Sequence, residues 1–250
     1  MKKLVFLLVL SVISSAVFAQ DHADDKWKFL VEPYMMFPSM KGSTGIGDLP
    51  EVPIDANAGD ILGALKIGGM LYFEASSSRW SICSDIIYMN LEQDVQTRVI
   101  IQDGSVQMKQ FAWEVSGLRS ILPWLDAGIG LRLNSLEAEF DITTRFGSQT
   151  EYHRNSTETW LDPILIARSQ GIIGNGKWTY LLRADIGGFG IGSDFAWQIQ
   201  PYIGYRFSEL FQLSVGYRVI GMDYETGTGD GYFKYDVDTS GPVVRFGFNL

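Results

Sequence analysis

Three successive segments of the chain place an apolar residue at every second position: Trp178–Phe189, Phe195–Phe207 and Leu210–Tyr224. A period of two with one apolar face is typical of β-strands. The other face carries arginine, aspartate, glutamine and glycine rather than the lysine, glutamate and threonine of a solvated surface. This pattern favours an inverted barrel, with an apolar exterior and a polar lumen, over a soluble β-sandwich.

The N-terminus has the features of a secretory signal peptide over residues 1–19. A basic start, Met1-Lys2-Lys3, precedes an apolar run, and Val17-Phe18-Ala19 supplies small residues for cleavage. The alternative, a transmembrane anchor, fits less well because the apolar run is short and is broken by serine. No later segment approaches about twenty apolar residues, so the sequence predicts no spanning helix. Residues 20–250 are predicted to form one exported domain.

The net charge and the cysteine content argue against a nucleic-acid-binding protein and against a protein held together by disulfides. The net charge is -9 and the sequence contains no cluster of lysine and arginine, so nucleic acid is not an expected partner. Cys83 is the single cysteine, which excludes an internal disulfide. It falls on the lumen-facing parity, where we expect an inert side chain.

Alternation along the whole chain predicts an all-β protein, a closed antiparallel up-and-down transmembrane barrel of about ten strands. Eight strands would result if two merged, and twelve if the long loop at 41–63 contained a further hairpin. A hairpin turn is predicted at Gln102–Ser105 because Asp-Gly readily adopts positive φ, and a polar loop at Thr143–Thr157. Within one strand the apolar parity switches at Leu136. A bulge near Asn134-Ser135, or emergence of the strand from the membrane, would explain this switch.

Aromatic residues begin every second predicted strand, as expected of a girdle at the headgroup level of a membrane. The predicted girdle consists of Trp27, Trp80, Trp124, Trp178 and Phe211. These strands begin on the side of the short turns, which is the periplasmic side in outer-membrane barrels.

Charged residues of both signs occupy the parity opposite the apolar face. The predicted lumen charge network comprises Glu32, Glu74, Asp85, Glu114, Asp126, Arg132, Asp162, Arg168, Arg183, Asp185, Arg206, Arg218 and Arg245. Buried charges must pair or stay hydrated. A barrel of this width is narrow, so the pattern predicts a salt-bridged interior with trapped water. The charges then build the scaffold; the alternative is a narrow conducting path.

Several stretches resemble a group of small, largely uncharacterised Gram-negative outer-membrane β-barrel proteins. They are Trp160-Leu161-Asp162-Pro163-Ile164, residues 183–194, Lys234-Tyr235-Asp236-Val237 leading to Gly241-Pro242, Gly45-Ile46-Gly47, Asp60-Ile61-Leu62, Arg79-Trp80 and Asp85-Ile86-Ile87-Tyr88. The resemblance implies location in the outer membrane and supplies no activity. The last strand, Val244-Phe246-Phe248-Leu250, is similar to the signal that the barrel-insertion machinery recognises, although a terminal aromatic residue is usual there.

These observations predict a monomeric outer-membrane protein with a structural or surface-interaction role. The expected partners are outer-membrane lipid, lipopolysaccharide and the barrel-assembly machinery, with no cofactor and no metal. The first alternative is a narrow porin for ions or small solutes. The second is an envelope enzyme, either a protease or a lipid A-modifying enzyme, which would need a histidine base near a carboxylate or serine. His22 lies in the polar N-terminal tail and His153 in a predicted outer loop, so we expect no catalysis.

Overall fold

The computed structural model describes residues 26–47, 51–94, 101–144, 151–174 and 176–250. The predicted signal peptide lies outside these residues. Twelve antiparallel strands form one sheet. Their bounds are β1 Lys28–Met36, β2 Ser39–Ile46, β3 Val52–Ala56, β4 Leu65–Ser76, β5 Trp80–Asp94, β6 Ile101–Leu122, β7 Leu125–Thr144, β8 Glu151–Ile173, β9 Trp178–Gly187, β10 Phe195–Arg206, β11 Phe211–Thr226 and β12 Phe233–Asn249.

Ten of these strands close into a barrel. Each of β4 to β11 pairs with the next strand in the chain, and β1 pairs with both β4 and β12 to close the barrel. One edge of β1 pairs with β4, where Phe29 lies opposite Ala75, and the other pairs with β12, where Tyr34 lies opposite Arg245. The predicted fold class and strand number are therefore confirmed.

The segment predicted as a long loop at 41–63 contains a hairpin. Strand β2 continues along the edge of β12 beyond the end of β1, with Lys41 opposite Asp238, and β3 pairs with β2. A short helix, α1, follows at Ala58–Ala64. Its N-terminus has a capping box, in which the Asn57 side chain accepts from the amides of Gly59 and Asp60 while Asp60 accepts from the Asn57 amide. The hairpin lies outside the closed wall, so the barrel still has ten strands.

Strand lengths differ greatly around the barrel. Strands β6 and β8 have 22 and 23 residues, whereas β9 has 10. At about 3.3 Å per residue, β8 extends about 75 Å, far more than an apolar band about 25 Å tall requires even when tilted.

Two predictions about these long strands were wrong. Gln102–Ser105 lies within β6 instead of forming a turn, and most of the predicted loop Thr143–Thr157 belongs to β7 and β8.

The two ends of the barrel have different connections. The short-turn end holds Trp27, Leu250 and the four connections β4–β5, β6–β7, β8–β9 and β10–β11. The long-hairpin end holds the remaining connections together with β2, β3 and α1. Among the described residues, no helix has both the length and the apolar character needed to cross a membrane.

Side chains alternate between the lumen and the exterior along most of the barrel wall. On β7 and β8 the outward residues are apolar and exposed, such as Ile129 at 68% and Leu165 at 51%. The inward residues between them, such as Arg132 and Arg168, are buried. The pairing of β7 with β8 runs without a register shift from Leu125↔Ser169 to Thr143↔Glu151. The predicted bulge near Asn134-Ser135 is therefore absent from this pair of described strands.

Candidate functional site: the charged lumen of the barrel

Arg168 forms the charge cluster nearest the short-turn end. Its Nη1 donates to Glu74 at 2.7 Å, its Nε donates to Asp126 at 3.0 Å, and its Nη2 donates to the Ser81 hydroxyl at 3.0 Å. The guanidinium therefore links β8 to β4, β5 and β7 across the lumen. Arg168 is only 1% exposed, so both ion pairs are buried.

Two arginines and two carboxylates form the central cluster. Arg132 Nη2 lies 2.9 Å from Glu114 and 2.7 Å from Asp185. Arg183 also contacts both acids, with Nη2 against Glu114 Oε1 and 3.2 Å from Asp185 Oδ2. Each carboxylate is thus shared by two guanidinium groups, which offsets the cost of removing four charges from water. The Gln198 amide donates a further hydrogen bond of 2.8 Å to Asp185.

Two further arginines, Arg218 and Arg245, each form a buried ion pair and also contact tyrosine side chains. Arg218 Nη1 lies 3.0 Å from Asp85 and also donates to the Tyr34 hydroxyl at 2.9 Å, and that hydroxyl donates to Asp85 at 2.6 Å. Arg245 lies 3.3 Å from Glu32. Its guanidinium carbon is 4.3 Å from the ring centre of Tyr202 and 5.0 Å from those of Tyr34 and Tyr72, so aromatic faces supply part of its surroundings.

Asp162 is held without an arginine. It accepts hydrogen bonds from the Ser193 amide at 2.6 Å, the Ser193 hydroxyl at 2.9 Å and the Asn134 amide at 3.1 Å. Trp160 Nε1 donates to the same hydroxyl at 2.9 Å. Ser193 lies in the short β9–β10 connection, so these bonds fasten that turn against the inner surface of β8. A Cβ at Gly192 would lie 2.5 Å from Asp162 Oδ1, which explains the need for glycine at that position.

Arg206 differs from the other predicted lumen residues. It is exposed at the short-turn end, and among the described residues no carboxylate lies within ion-pair distance of it. It is the last residue of β10, beyond the buried part of the lumen. Lys66, which has the lumen parity in the sequence, is also exposed and pairs with Glu92 at 3.3 Å. Parity thus predicts the direction of a side chain but not its depth within the barrel.

The sequence reasoning missed the neutral partners of the charges: Tyr34, Ser81, Ser193, Gln198 and Gln200. Tyr34, Gln198 and Gln200 have the same parity as predicted lumen charges on their own strands, so that signal was available. Ser193 carries no such signal because it lies in a turn.

The lumen has open space at one end and a blockage in the middle. A vestibule of about 550 Å³ opens at the short-turn end, and its lining includes Lys28, Glu32 and Arg206. On the other side of the central cluster lies a cavity of about 50 Å³, bordered by Asp85 and Arg132. Such a cavity holds only a few water molecules. The contacts of five arginines lie between or along these two spaces: Arg132, Arg168, Arg183, Arg218 and Arg245.

A second closure lies toward the long-hairpin end and is apolar. Leu136 on β7, Trp160 on β8 and Tyr224 on β11 turn inward and are buried there together with Ile61 of α1. The rings of Trp160 and Tyr224 stack with centroids 4.1 Å apart and planes 8° apart. Strand β9 ends at Gly187, so β8 and β11 extend farther toward the long-hairpin end than the short β9–β10 hairpin between them. The Trp160–Tyr224 ring stack connects these extended parts of β8 and β11.

The five predicted girdle residues lie together around the short-turn end. Trp27, Trp80, Trp124 and Trp178 are 46–50% exposed, and Phe211 is half-buried. Phe211 connects to Phe207 and Phe248 through ring contacts of 5.7 and 5.5 Å. Trp178 meets Tyr205 edge-on at 5.0 Å. The aromatic surface is therefore nearly continuous from β9 to β12.

Histidine, cysteine and clustered carboxylates are the side chains that catalysis or metal binding would use. The described residues contain no group of three or more His, Cys, Asp and Glu side chains arranged for a metal ion. His153 lies within β8, opposite Asp141, instead of in the predicted loop, and His22 lies outside the described residues. Cys83 is buried, and its Sγ lies 3.8 Å from Arg168 Nη1.

Ion pairs at the long-hairpin end are more exposed. Lys234 Nζ donates to both oxygens of Glu51, at 3.0 and 3.2 Å, and Ser43 Oγ donates to the same carboxylate at 3.0 Å. These bonds lower the pKa of Glu51 below its ordinary value, with Lys234 the larger cause, and the same pairing raises the pKa of Lys234. The pair ties the beginning of β3 to β12 across β2.

No protein-family model matches the chain, and a search of curated proteins found no match. Solved structures do match over most of their lengths. The attachment invasion locus protein Ail of Yersinia pestis, solved with the heparin analogue sucrose octasulfate, is 8% identical, with 90% of this chain and 99% of Ail covered and a TM-score of 0.39. The Pseudomonas putida toluene transporter TodX is 8% identical, with 92% and 91% covered and a TM-score of 0.35. The translocator domain of the Neisseria meningitidis autotransporter NalP is 14% identical, with 96% and 92% covered and a TM-score of 0.38.

Proposed function

We propose that the protein is an integral outer-membrane β-barrel with a closed lumen and that it serves as a structural or surface-interaction protein. The exterior supports a membrane location, since outward residues such as Ile129, Leu131 and Leu165 are about half exposed or more. A soluble protein rarely exposes a contiguous apolar surface of this extent. The aromatic girdle supports insertion with the short-turn end at one interface of the bilayer.

The observation that carries the proposed closure is the set of buried arginine contacts across the lumen. Arg132 and Arg183 share Glu114 and Asp185 in the centre, and none of these four residues is more than 6% exposed. A conducting path would need continuous water past these groups. The cavity that borders Glu114 and Arg132 has a volume of about 50 Å³, which holds only a few water molecules.

We place the short-turn end in the periplasm and the long-hairpin end outside the cell. Short periplasmic turns and long outer loops are the arrangement of bacterial outer-membrane barrels. The extended parts of β5 to β8, together with β2, β3 and α1, then form the surface that the cell presents. The proposal includes a monomer, insertion by the barrel-assembly machinery through the last strand, contact with lipid and lipopolysaccharide, and no enzymatic activity.

Planar-bilayer conductance tests the closed lumen. The purified mature protein, inserted and shown to be folded by its shifted mobility on unboiled gels, should give no discrete conductance steps. The quadruple variant R132S/R183S/E114S/D185S removes only the central cluster, so the apolar closure around Trp160 and Tyr224 should keep it from conducting. A variant that also carries W160A/Y224A should conduct if it folds. Discrete openings of the wild-type protein would contradict the closed lumen and favour the narrow porin.

The membrane location has its own test. If the mature protein stays monodisperse in buffer without detergent and shows no mobility shift, the barrel is not a membrane protein. A change in the lipid A of an overexpressing strain would instead indicate an envelope enzyme.

A further inference from the structure

Basic residues occupy the short-turn end in a repeated position. Three of the four girdle tryptophans are directly preceded by a cation, in the pairs Lys26-Trp27, Arg79-Trp80 and Lys177-Trp178. The fourth, Trp124, follows the β6–β7 turn, and Arg119 lies near the end of β6. We call Lys26, Arg79, Arg119 and Lys177 the basic collar. All four are exposed.

On the outside of the barrel, one member of the basic collar lies against a girdle ring, and a second lies against a ring that contacts the girdle. The Arg119 guanidinium carbon is 5.6 Å from the Trp80 ring centre, and these two residues face one another across β5 and β6. Lys177 Nζ is 6.0 Å from the ring centre of Tyr205, which itself contacts Trp178. The rings therefore hold these charges on the outer surface, at the level of the girdle, instead of directing them into the vestibule.

The short-turn end is basic as a whole. Within the described ranges 26–29, 76–81, 118–125, 171–174, 176–179 and 205–211, Glu209 is the one acidic side chain, whereas Lys28 and Arg206 add to the four cations of the collar. The complete chain has a net charge of -9, so this end is opposite in sign to the rest of the molecule. Most of the acidic side chains lie on the long strands and at the long-hairpin end.

The position of the collar identifies the chemistry that fits it. Tryptophan rings locate at the headgroup level, and a residue just before a tryptophan that begins a strand at this end lies up to about 3.3 Å closer to the water. That level contains the lipid phosphates. Lysine and arginine side chains near the surface of an anionic leaflet contribute about 1 kcal/mol each, which corresponds to about a fivefold change in affinity per cation.

We propose that the basic collar binds the phosphodiester headgroups of anionic phospholipids in the leaflet at the short-turn end. Arg119 and Lys177 are the central contacts, because their rings fix them at the headgroup level. The inference rests on the proposed membrane function and extends it by giving the barrel a preference among lipids. An anionic headgroup, such as that of phosphatidylglycerol, is then favoured over a zwitterionic one of the same chain length.

Spin-label electron paramagnetic resonance tests this preference. The full mature protein is reconstituted in phosphatidylcholine bilayers at low salt, with a trace of spin-labelled phosphatidylglycerol or spin-labelled phosphatidylcholine. The motionally restricted fraction gives the association of each lipid with the barrel surface. We expect a several-fold preference for phosphatidylglycerol that weakens in 1 M salt, since exposed charges are screened there.

Two double variants separate the collar from net charge. R119Q/K177Q should lose most of the preference. K41Q/K66Q, which removes two exposed lysines from the other end of the barrel, should keep it, and both variants should retain the gel mobility shift of the folded protein. Equal association of the two lipids with the wild-type protein, or equal loss in both variants, would overturn the proposal. A protein that restricts neither lipid is not in the membrane at all, and that result would instead refute the proposed function.

Discussion

Arg168 provides the sharpest test of how the lumen is held together. Its guanidinium is 1% exposed and contacts Glu74 at 2.7 Å, Asp126 at 2.9 Å and Ser81 at 3.0 Å. Arg168→Met keeps a long side chain but leaves two carboxylates without their shared cation. Removing one partner of a buried ion pair costs about 3–5 kcal/mol. We expect a loss of unfolding free energy in that range, measured by equilibrium urea unfolding of the protein folded into lipid vesicles.

A second variant distinguishes loss of charge balance from loss of packing. In R168M/E74Q/D126N all three charges are gone, while amide oxygens remain to accept from Tyr72 and Ser120, which donate to Glu74 and Asp126. Since uncharged replacements of a buried ion pair are often neutral in stability, this triple variant should regain most of the loss. Arg206→Met is the matched control: Arg206 is exposed, so its change should stay within about 0.5 kcal/mol.

Either of two results would contradict this role of the Arg168 charge. One is a cost of Arg168→Met below about 1 kcal/mol, which would mean that water enters the cluster and compensates the two carboxylates. The other is a triple variant less stable than Arg168→Met itself, which would mean that the guanidinium contributes through packing and not through charge.

Two further predictions concern the long-hairpin end. Trp160→Ala removes the stack on Tyr224 and the hydrogen bond to Ser193 from a side chain that is 5% exposed, so urea unfolding should show a loss of about 3–5 kcal/mol, whereas Trp160→Phe should lose less. Glu51 should titrate below the ordinary pKa of glutamate in an NMR experiment, and Lys234→Gln should move its pKa back upward. Because the pKa is lowered in the folded state, the contribution of the pair is present above the unfolded pKa and is lost as the pH falls through the folded pKa; an unchanged Glu51 pKa in Lys234→Gln would contradict this.

The wall of the barrel could be predicted because two independent signals agree there. Alternation gave the direction of side chains such as Asp185 and Arg218, and the tryptophans at 27, 80, 124 and 178 gave the level at which strands begin. In the structure the five aromatic residues lie at the short-turn end, and twelve of the thirteen predicted lumen charges are buried, with Arg206 the exception. Arg206 is exposed because it lies at the end of its strand. A period of two shows which face of the sheet a residue is on, but not how far along the barrel axis it lies.

Pairing within the lumen could not be predicted from sequence. Arg168 is 42 residues from Asp126 and 94 from Glu74, and Arg245 is 213 from Glu32. Which charges meet depends on the register between neighbouring strands. Shifting one strand by one residue would turn all of its charged side chains to the opposite face of the sheet. The neutral members of the network, such as Gln198 between Arg218 and Asp185, follow from the same stagger.

The parity switch at Leu136 shows how a correct observation led to a wrong alternative. The sequence shows apolar residues at 125–133 on odd positions and then at 136 on an even one, and a bulge is the usual structural cause of such a change. The strand has no bulge: even residues face the lumen from Asp126 to Leu136, and the pairing with β8 is unbroken. What changes along β7 is the environment on the outside of the barrel. In the proposed membrane the apolar residues of β7 face lipid; beyond it the exterior is solvent, so the apolar residues turn to the inside, where Leu136 joins Trp160 and Ile61. In the proposed membrane location, the switch marks the level at which this continuous strand leaves the bilayer, and the interior changes there from charged to apolar.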